Sequence, residues 1–130
     1  MKVYIGSDHA GFHLKETLQE YLKTLGHDVL DLGVFTDEVK ADYPDMAREV
    51  GEKVVENKDS TGILVCGSGT GMCMAANKVR GIRAACARDV TTARYARLHN
   101  DANIVALGER FTGTEVAKEI VDTFLSTKFE

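Results

Sequence analysis

Strand-length apolar runs alternate with helix-length amphipathic segments along this whole chain, and that alternation limits its fold more than any other feature. Residues 2–6, 27–32, 62–66, 82–87 and 102–106 read as short strands. Residues 12–25, 44–57, 71–77, 90–98 and 113–125 read as helices. In the first of these, Leu14, Leu18, Tyr21, Leu22 and Leu25 recur at helical spacing and Gly26 ends the run. The run Gly62-Ile63-Leu64-Val65-Cys66 is apolar throughout, as a strand covered on both faces requires. The pattern predicts an α/β fold: a doubly wound, Rossmann-like parallel sheet of five strands with helices on both faces. The expected order is 2-1-3-4-5 with right-handed crossovers. At 130 residues the chain is expected to form one domain, spanning 1–130.

In such a sheet the ligand crevice lies beyond the carboxyl ends of strands 1 and 3, where the winding reverses. Two chemically loaded segments fall there. Strand 1 runs into Gly6-Ser7-Asp8-His9-Ala10-Gly11, and strand 3 into Cys66-Gly67-Ser68-Gly69-Thr70-Gly71. The glycines at 67, 69 and 71 let the backbone approach a ligand closely and turn its N–H groups inward, a nest suited to an anion. The spacing is neither that of a dinucleotide fingerprint, because Met72 stands at its third glycine, nor that of a P-loop, because no Gly-Lys-Ser/Thr follows.

Cys66, facing a helix start, could act as nucleophile or general base, or could be a small buried hydrophobe. Asp8 and His9 could handle protons or bind an anion; equally, Asp8 could cap a helix and His9 lie on the surface. His99-Asn100-Asp101, after the fourth helix, has the composition of a turn. Arg110, just past strand 5, is placed to grip a phosphate. Cys73 and Cys86 are expected in the core. No resolving cysteine follows Cys66 at redox spacing, and His9 and His13 have no third metal ligand nearby.

Charge narrows the partners. The chain is net −4, yet residues 72–100 hold Lys78, Arg80, Arg83, Arg88, Arg94 and Arg97 against one acid, Asp89. A basic zone in an acidic chain suits a small anionic ligand. A pI near 5.6 without interleaved aromatics argues against nucleic acid. No apolar run reaches the roughly 18 residues of a membrane helix. Met1-Lys2-Val3-Tyr4-Ile5-Gly6 leads straight into a strand pattern rather than a signal segment, from which a cytoplasmic protein is expected.

Six segments in order, the two above with Asp42-Tyr43-Pro44-Asp45, Ala75-Ala76-Asn77-Lys78, Gly81-Ile82-Arg83-Ala84 and His99-Asn100-Asp101-Ala102-Asn103, resemble the ribose-5-phosphate isomerase B family. That family lies within a wider group that includes the galactose-6-phosphate isomerase subunits. The resemblance implies interconversion of D-ribose 5-phosphate and D-ribulose 5-phosphate through a cis-enediolate, without metal or cofactor. It implies Cys66 as the base between C1 and C2, and Gly67, Ser68, Gly69, Thr70 and Gly71 as the loop around the enediolate oxygens. Ser68 stands where threonine is commoner and keeps the hydroxyl. By the same resemblance His99 opens the furanose ring, Asp8 and Asn100 contact sugar oxygens, and His9 and Arg110 face the phosphate. A homodimer or a tetramer of dimers is implied, with residues of two subunits meeting in each site. The family's Gly-Gly-Arg-His stretch after the last helix has no match up to Lys128-Phe129-Glu130. Other sugar phosphates, such as galactose 6-phosphate or allose 6-phosphate, are the nearest alternative substrates, and a catalytically weak sugar-phosphate-binding protein is the alternative from another class.

Overall fold

The computed structural model describes residues 1–130. Its strands are β1 (Lys2–Ser7), β2 (Asp28–Asp31), β3 (Ser60–Cys66), β4 (Ala84–Cys86) and β5 (Ile104–Gly108). Its helices are α1 (Phe12–Thr24), α2 (Tyr43–Glu56), α3 (Thr70–Ala76), α4 (Val90–Leu98) and α5 (Thr114–Ser126), and a 3₁₀ turn (His9–Gly11) precedes α1. All strand pairs are parallel. The expected α/β architecture is present, and the alternation of the sequence accounts for it: a parallel sheet must be covered on both sides, so each apolar run needs a helix after it.

The order is β2-β1-β3-β5-β4, not the expected 2-1-3-4-5. Burial explains the exchange. Every residue of β5, Ile-Val-Ala-Leu-Gly, is buried, which suits a central strand, whereas β4 is three half-buried residues, Ala-Ala-Cys, which suits an edge. The helices follow. A chain stepping from β4 back to β5 reverses its direction across the sheet, and a right-handed crossover then puts α4 on the opposite face from α3. Accordingly Ala93 and Ala96 of α4 pack with α1 and α5 in a core of 18 buried residues, including Leu18, Ile120 and Phe124. Met72 and Ala76 of α3 join α2 in the second core of 12, with Val50, Leu64 and Ile104.

The open edge of β4 is closed by side chains. The Asn77 amide donates to Ala84 O (3.0 Å) and accepts from Ala84 N (2.8 Å), so a carboxamide stands where a neighbouring strand's peptide would be. The Cys73 thiol donates to the same carbonyl (3.4 Å). Cys73 and Cys86, expected in the core, are therefore only half-buried, at or near the rim of the sheet. No helix is long and apolar enough to cross a membrane.

Candidate active site

The strand order decides which loops meet. Because β5 lies directly against β3, with Cys66 in register with Gly108, the residues after β5 reach the loop after β3. Glu109 N donates to Cys66 O (2.9 Å) and Arg110 N to Gly67 O (3.0 Å). From the other side Asp8 N donates to Val65 O (3.3 Å) and ties the end of β1 to β3. A pocket of about 240 Å³ opens at this junction, lined by Asp8, His9, Ala10, Tyr43, Cys66, Gly67, Ser68, Gly71 and Arg110. It lies at the carboxyl ends of β1 and β3, where the winding reverses.

Cys66 is 4% exposed, and Gly69 N donates to its Sγ (3.1 Å). That bond requires the loop to double back, which Gly69 permits by standing at φ +82°. The Ser68 hydroxyl accepts from Thr70 N (3.2 Å). The N–H groups of Gly67, Ser68 and Gly71 have no acceptor within the chain, so three donors remain for a ligand oxygen. Asp8 caps the 3₁₀ turn, its Oδ1 accepting from Gly11 N (3.0 Å). It is nonetheless a pocket residue at 7% exposure, so capping and lining the pocket coexist. His9 accepts a hydrogen bond from Ala41 N at Nδ1 (3.3 Å). The Arg110 guanidinium lies across Gly67, where an added Cβ would stand 3.3 Å from its Cζ and Nε.

Thr70 is exposed and does not line the pocket. Burial, the largest influence on both, pushes the thiols of Cys86 and Cys73 above the ordinary range. No cluster of three or more ligating side chains could hold a metal ion.

His99 and Asn100 do not reach this pocket from the same chain. Helix α4 starts beyond the carboxyl end of β4 and runs back, so its last turn sits at the amino edge of the sheet. There Arg83 Nε donates to Asn100 O (2.7 Å), and Asn100 lines a separate cavity with Asn77 and Arg83. The length of β5 separates this edge from Cys66. His99 is exposed there, its ring stacked obliquely on Tyr95 (4.8 Å). Tyr43 is a pocket residue that spacing alone does not single out. Its ring covers Gly71, where an added Cβ would stand 2.8 Å from Cε1. The signal available in sequence was the Asp42-Tyr43-Pro44-Asp45 segment itself, because a proline in the first turn fixes where α2 begins and so where residue 43 stands.

Known proteins resemble this chain in sequence and in fold. The sequence pattern of the Ribose/Galactose Isomerase family matches residues 3–130. The putative sugar phosphate isomerase YwlF of Bacillus subtilis is 46% identical over 129 residues, 99% of this chain and 87% of that protein. The galactose-6-phosphate isomerase subunit LacB of Clostridium acetobutylicum is 43% identical over 130 residues, 100% of this chain and 75% of that one. Among solved structures, ribose-5-phosphate isomerase B of Mycoplasma genitalium with bound ribulose-5-phosphate superposes with a TM-score of 0.95 at 45% identity, covering 99% of this chain and 86% of that one.

Proposed function

The chain belongs to the ribose/galactose isomerase family, and from that premise we propose that it interconverts D-ribose 5-phosphate and D-ribulose 5-phosphate by proton transfer between side chains and sugar. The observation that carries this reading is the Cys66 sulfur, held by the Gly69 N–H at 3.1 Å beside three backbone N–H groups that bond to no other group of the chain. Isomerisation of an aldose removes the C2 proton, delivers a proton to C1 and moves the hydroxyl proton from O2 to O1. The intermediate is a cis-enediolate whose charge rests on two adjacent oxygens. Cys66 is the base that carries the proton between the carbons. The Gly67, Ser68 and Gly71 N–H groups meet the oxygens, one such preorganised donor being worth about 3 kcal/mol in a dry site. A positioned base adds about 10²–10⁴-fold.

His9 and Arg110 take the phosphate, and Asp8 and the Ser68 hydroxyl orient the sugar, with Thr70 and Gly69 holding the loop in shape. His99 and Asn100 lie at the far edge of their own chain. Their part, ring opening by His99 and a sugar contact by Asn100, is played in a second copy's pocket, so the working unit is a homodimer or a pair of dimers. The galactose-6-phosphate subunit among the relatives keeps six-carbon sugars as the second reading.

The test is deuterium uptake at C2 of ribose 5-phosphate in heavy water. Wild type exchanges, and Cys66→Ala binds the sugar without exchanging. Undiminished exchange in that variant removes Cys66 as the base. A panel of phosphorylated aldoses ranks ribose 5-phosphate against galactose 6-phosphate and allose 6-phosphate.

A further inference from the structure

Lys15 is the largest side chain in the molecule with no exposed surface, and no step of the reaction proposed above uses it. Its ammonium donates to both carboxylate oxygens of Asp31 (2.8 Å each) and to the carbonyl of Val34 (2.5 Å), and it also pairs with the half-exposed carboxylate of Glu16 (3.1 Å). The rings of Phe12 and Phe35 stand 5.3 and 5.4 Å from it. Asp31 Oδ1 also accepts from Gly33 N (2.9 Å). The ammonium thus sits at the root of the strap that joins β2 to α2, residues 32–42. Ser7 N donates to Gly33 O (2.8 Å), and Val34 N donates back to Ser7 O (3.0 Å), so the root is also stitched to the end of β1. From there the strap crosses the pocket side of α1, meets His13 through Asp37 (2.8 Å) and delivers the N–H of Ala41 to His9 Nδ1 (3.3 Å) before entering α2 at Tyr43.

A backbone N–H can only donate, so Nδ1 of His9 is an acceptor and, in the neutral ring, the proton is on Nε2. We propose that Lys15 is a positioning residue: by clamping the root of the 32–42 strap it holds Ala41 against His9, fixes the Nε2–H tautomer, and so leaves His9 a ready hydrogen-bond donor at the anion end of the pocket. A buried ammonium suits this task better than an apolar side chain of the same size. It has donors enough for a carboxylate and a carbonyl together, and, being itself fully buried, it holds both in one arrangement. The ligand part of the inference rests on the phosphate role given to His9 above; the tautomer part does not.

The experiment reads the two parts separately. Imidazole ¹⁵N shifts of His9, assigned by their loss in His9→Gln, are recorded in the ligand-free protein above the pH at which the ring is protonated. Wild type shows a single Nε2–H tautomer. The variant Lys15→Met/Asp31→Asn, which removes the ammonium and the Asp31 charge together and leaves only the half-exposed Glu16 carboxylate to solvent, shows shifts averaged over both tautomers. Ala41→Pro, which deletes the N–H at the other end of the strap, shows the same averaging. If the double variant does not fold, Asp31→Asn alone, which keeps every heavy atom, moves the shifts in the same direction to a smaller extent. In the kinetics of the double variant, KM for ribose 5-phosphate rises about twofold while kcat is unchanged, because a ring averaged over both tautomers presents the Nε2–H donor in only about half of the molecules. His9 shifts unchanged in the folded clamp variants overturn the proposal. Altered shifts in a protein whose wild type turns over no ribose 5-phosphate leave the strap standing and reject the assigned reaction instead.

Discussion

Gly108 closes β5 directly beneath the reactive loop, and replacing it with alanine tests how rigidly that loop is held. A Cβ at 108 would stand 2.5 Å from Ser68 C, 2.6 Å from its O and 2.8 Å from its Cα. These are backbone atoms and cannot swing aside, so the loop and strand must part by about 0.9 Å to reach ordinary contact at 3.4 Å. The hydrogen bonds from Glu109 N to Cys66 O and from Arg110 N to Gly67 O resist that movement, because they join the same two segments. Overpacking of this kind costs about 1–3 kcal/mol, which for a chain of this size lowers the melting temperature by about 3–12 °C. The larger effect is on turnover. A shift near 1 Å in groups that position a reacting centre costs about 10²-fold, so Gly108→Ala is expected to keep its fold and lose about that factor in kcat for ribose 5-phosphate. Gly113→Ser is the control, since a Cβ there meets nothing within 4 Å and serine suits the cap position of α5. Thermal melts and initial rates on the three proteins decide the matter. A Gly108→Ala enzyme with wild-type turnover and melting temperature would show that the loop is not held in the way described.

Three further outcomes are expected. Arg110→Met should raise KM for the sugar phosphate about 10–100-fold, the loss of a charge-assisted contact, with a smaller effect on the dephosphorylated sugar; an unchanged KM would take Arg110 off the phosphate. Asp89 caps α4 by accepting from Thr92 N (2.7 Å) and from the Thr92 hydroxyl, which together hold its carboxyl below the ordinary 3.8. Its contribution is therefore present above that value and lost as pH falls through the lowered one, so Asp89→Ala should melt earlier than wild type at neutral pH, with the difference closing only below about pH 3.8. Phe124→Ala, at a site 1% exposed on α5, should cost about 3–5 kcal/mol in urea unfolding. A loss below about 1 kcal/mol would mean that α5 is not an essential cover of its face.

What could be read from sequence was whatever repeats along the chain. The alternation gave the parallel sheet, and the strand-end positions of Asp8, His9 and Cys66 put them at one crevice, because strand ends are local features. The order of β4 and β5 was not local. It turns on how completely each is buried, and Ala84-Ala85-Cys86 looks as apolar as Ile104-Val105-Ala106 until the helices are in place. That exchange moved Arg110 from two strands away to a place against Gly67. The position of His99 was equally out of reach, since the end of α4 depends on which way that helix crosses the sheet. Nor does anything in the spacing of Lys15 and Asp31 reveal their pairing: a lysine on a helix and an aspartate on a strand normally face water, and only the folded chain, in which Lys15 is fully buried, shows otherwise.

The carboxamide of Asn77 on the rim of β4 has a consequence for how copies of this chain can meet. An uncovered outer strand invites another chain to pair with it, the route to ribbons and amyloid-like stacking. Here the peptide groups that a visiting strand would need at Ala84 are already satisfied from within the same molecule. A strand pairing there would first have to displace that carboxamide from Ala84, which disfavours a continuous ladder at this rim and leaves side-chain surfaces as the easier way for copies to meet.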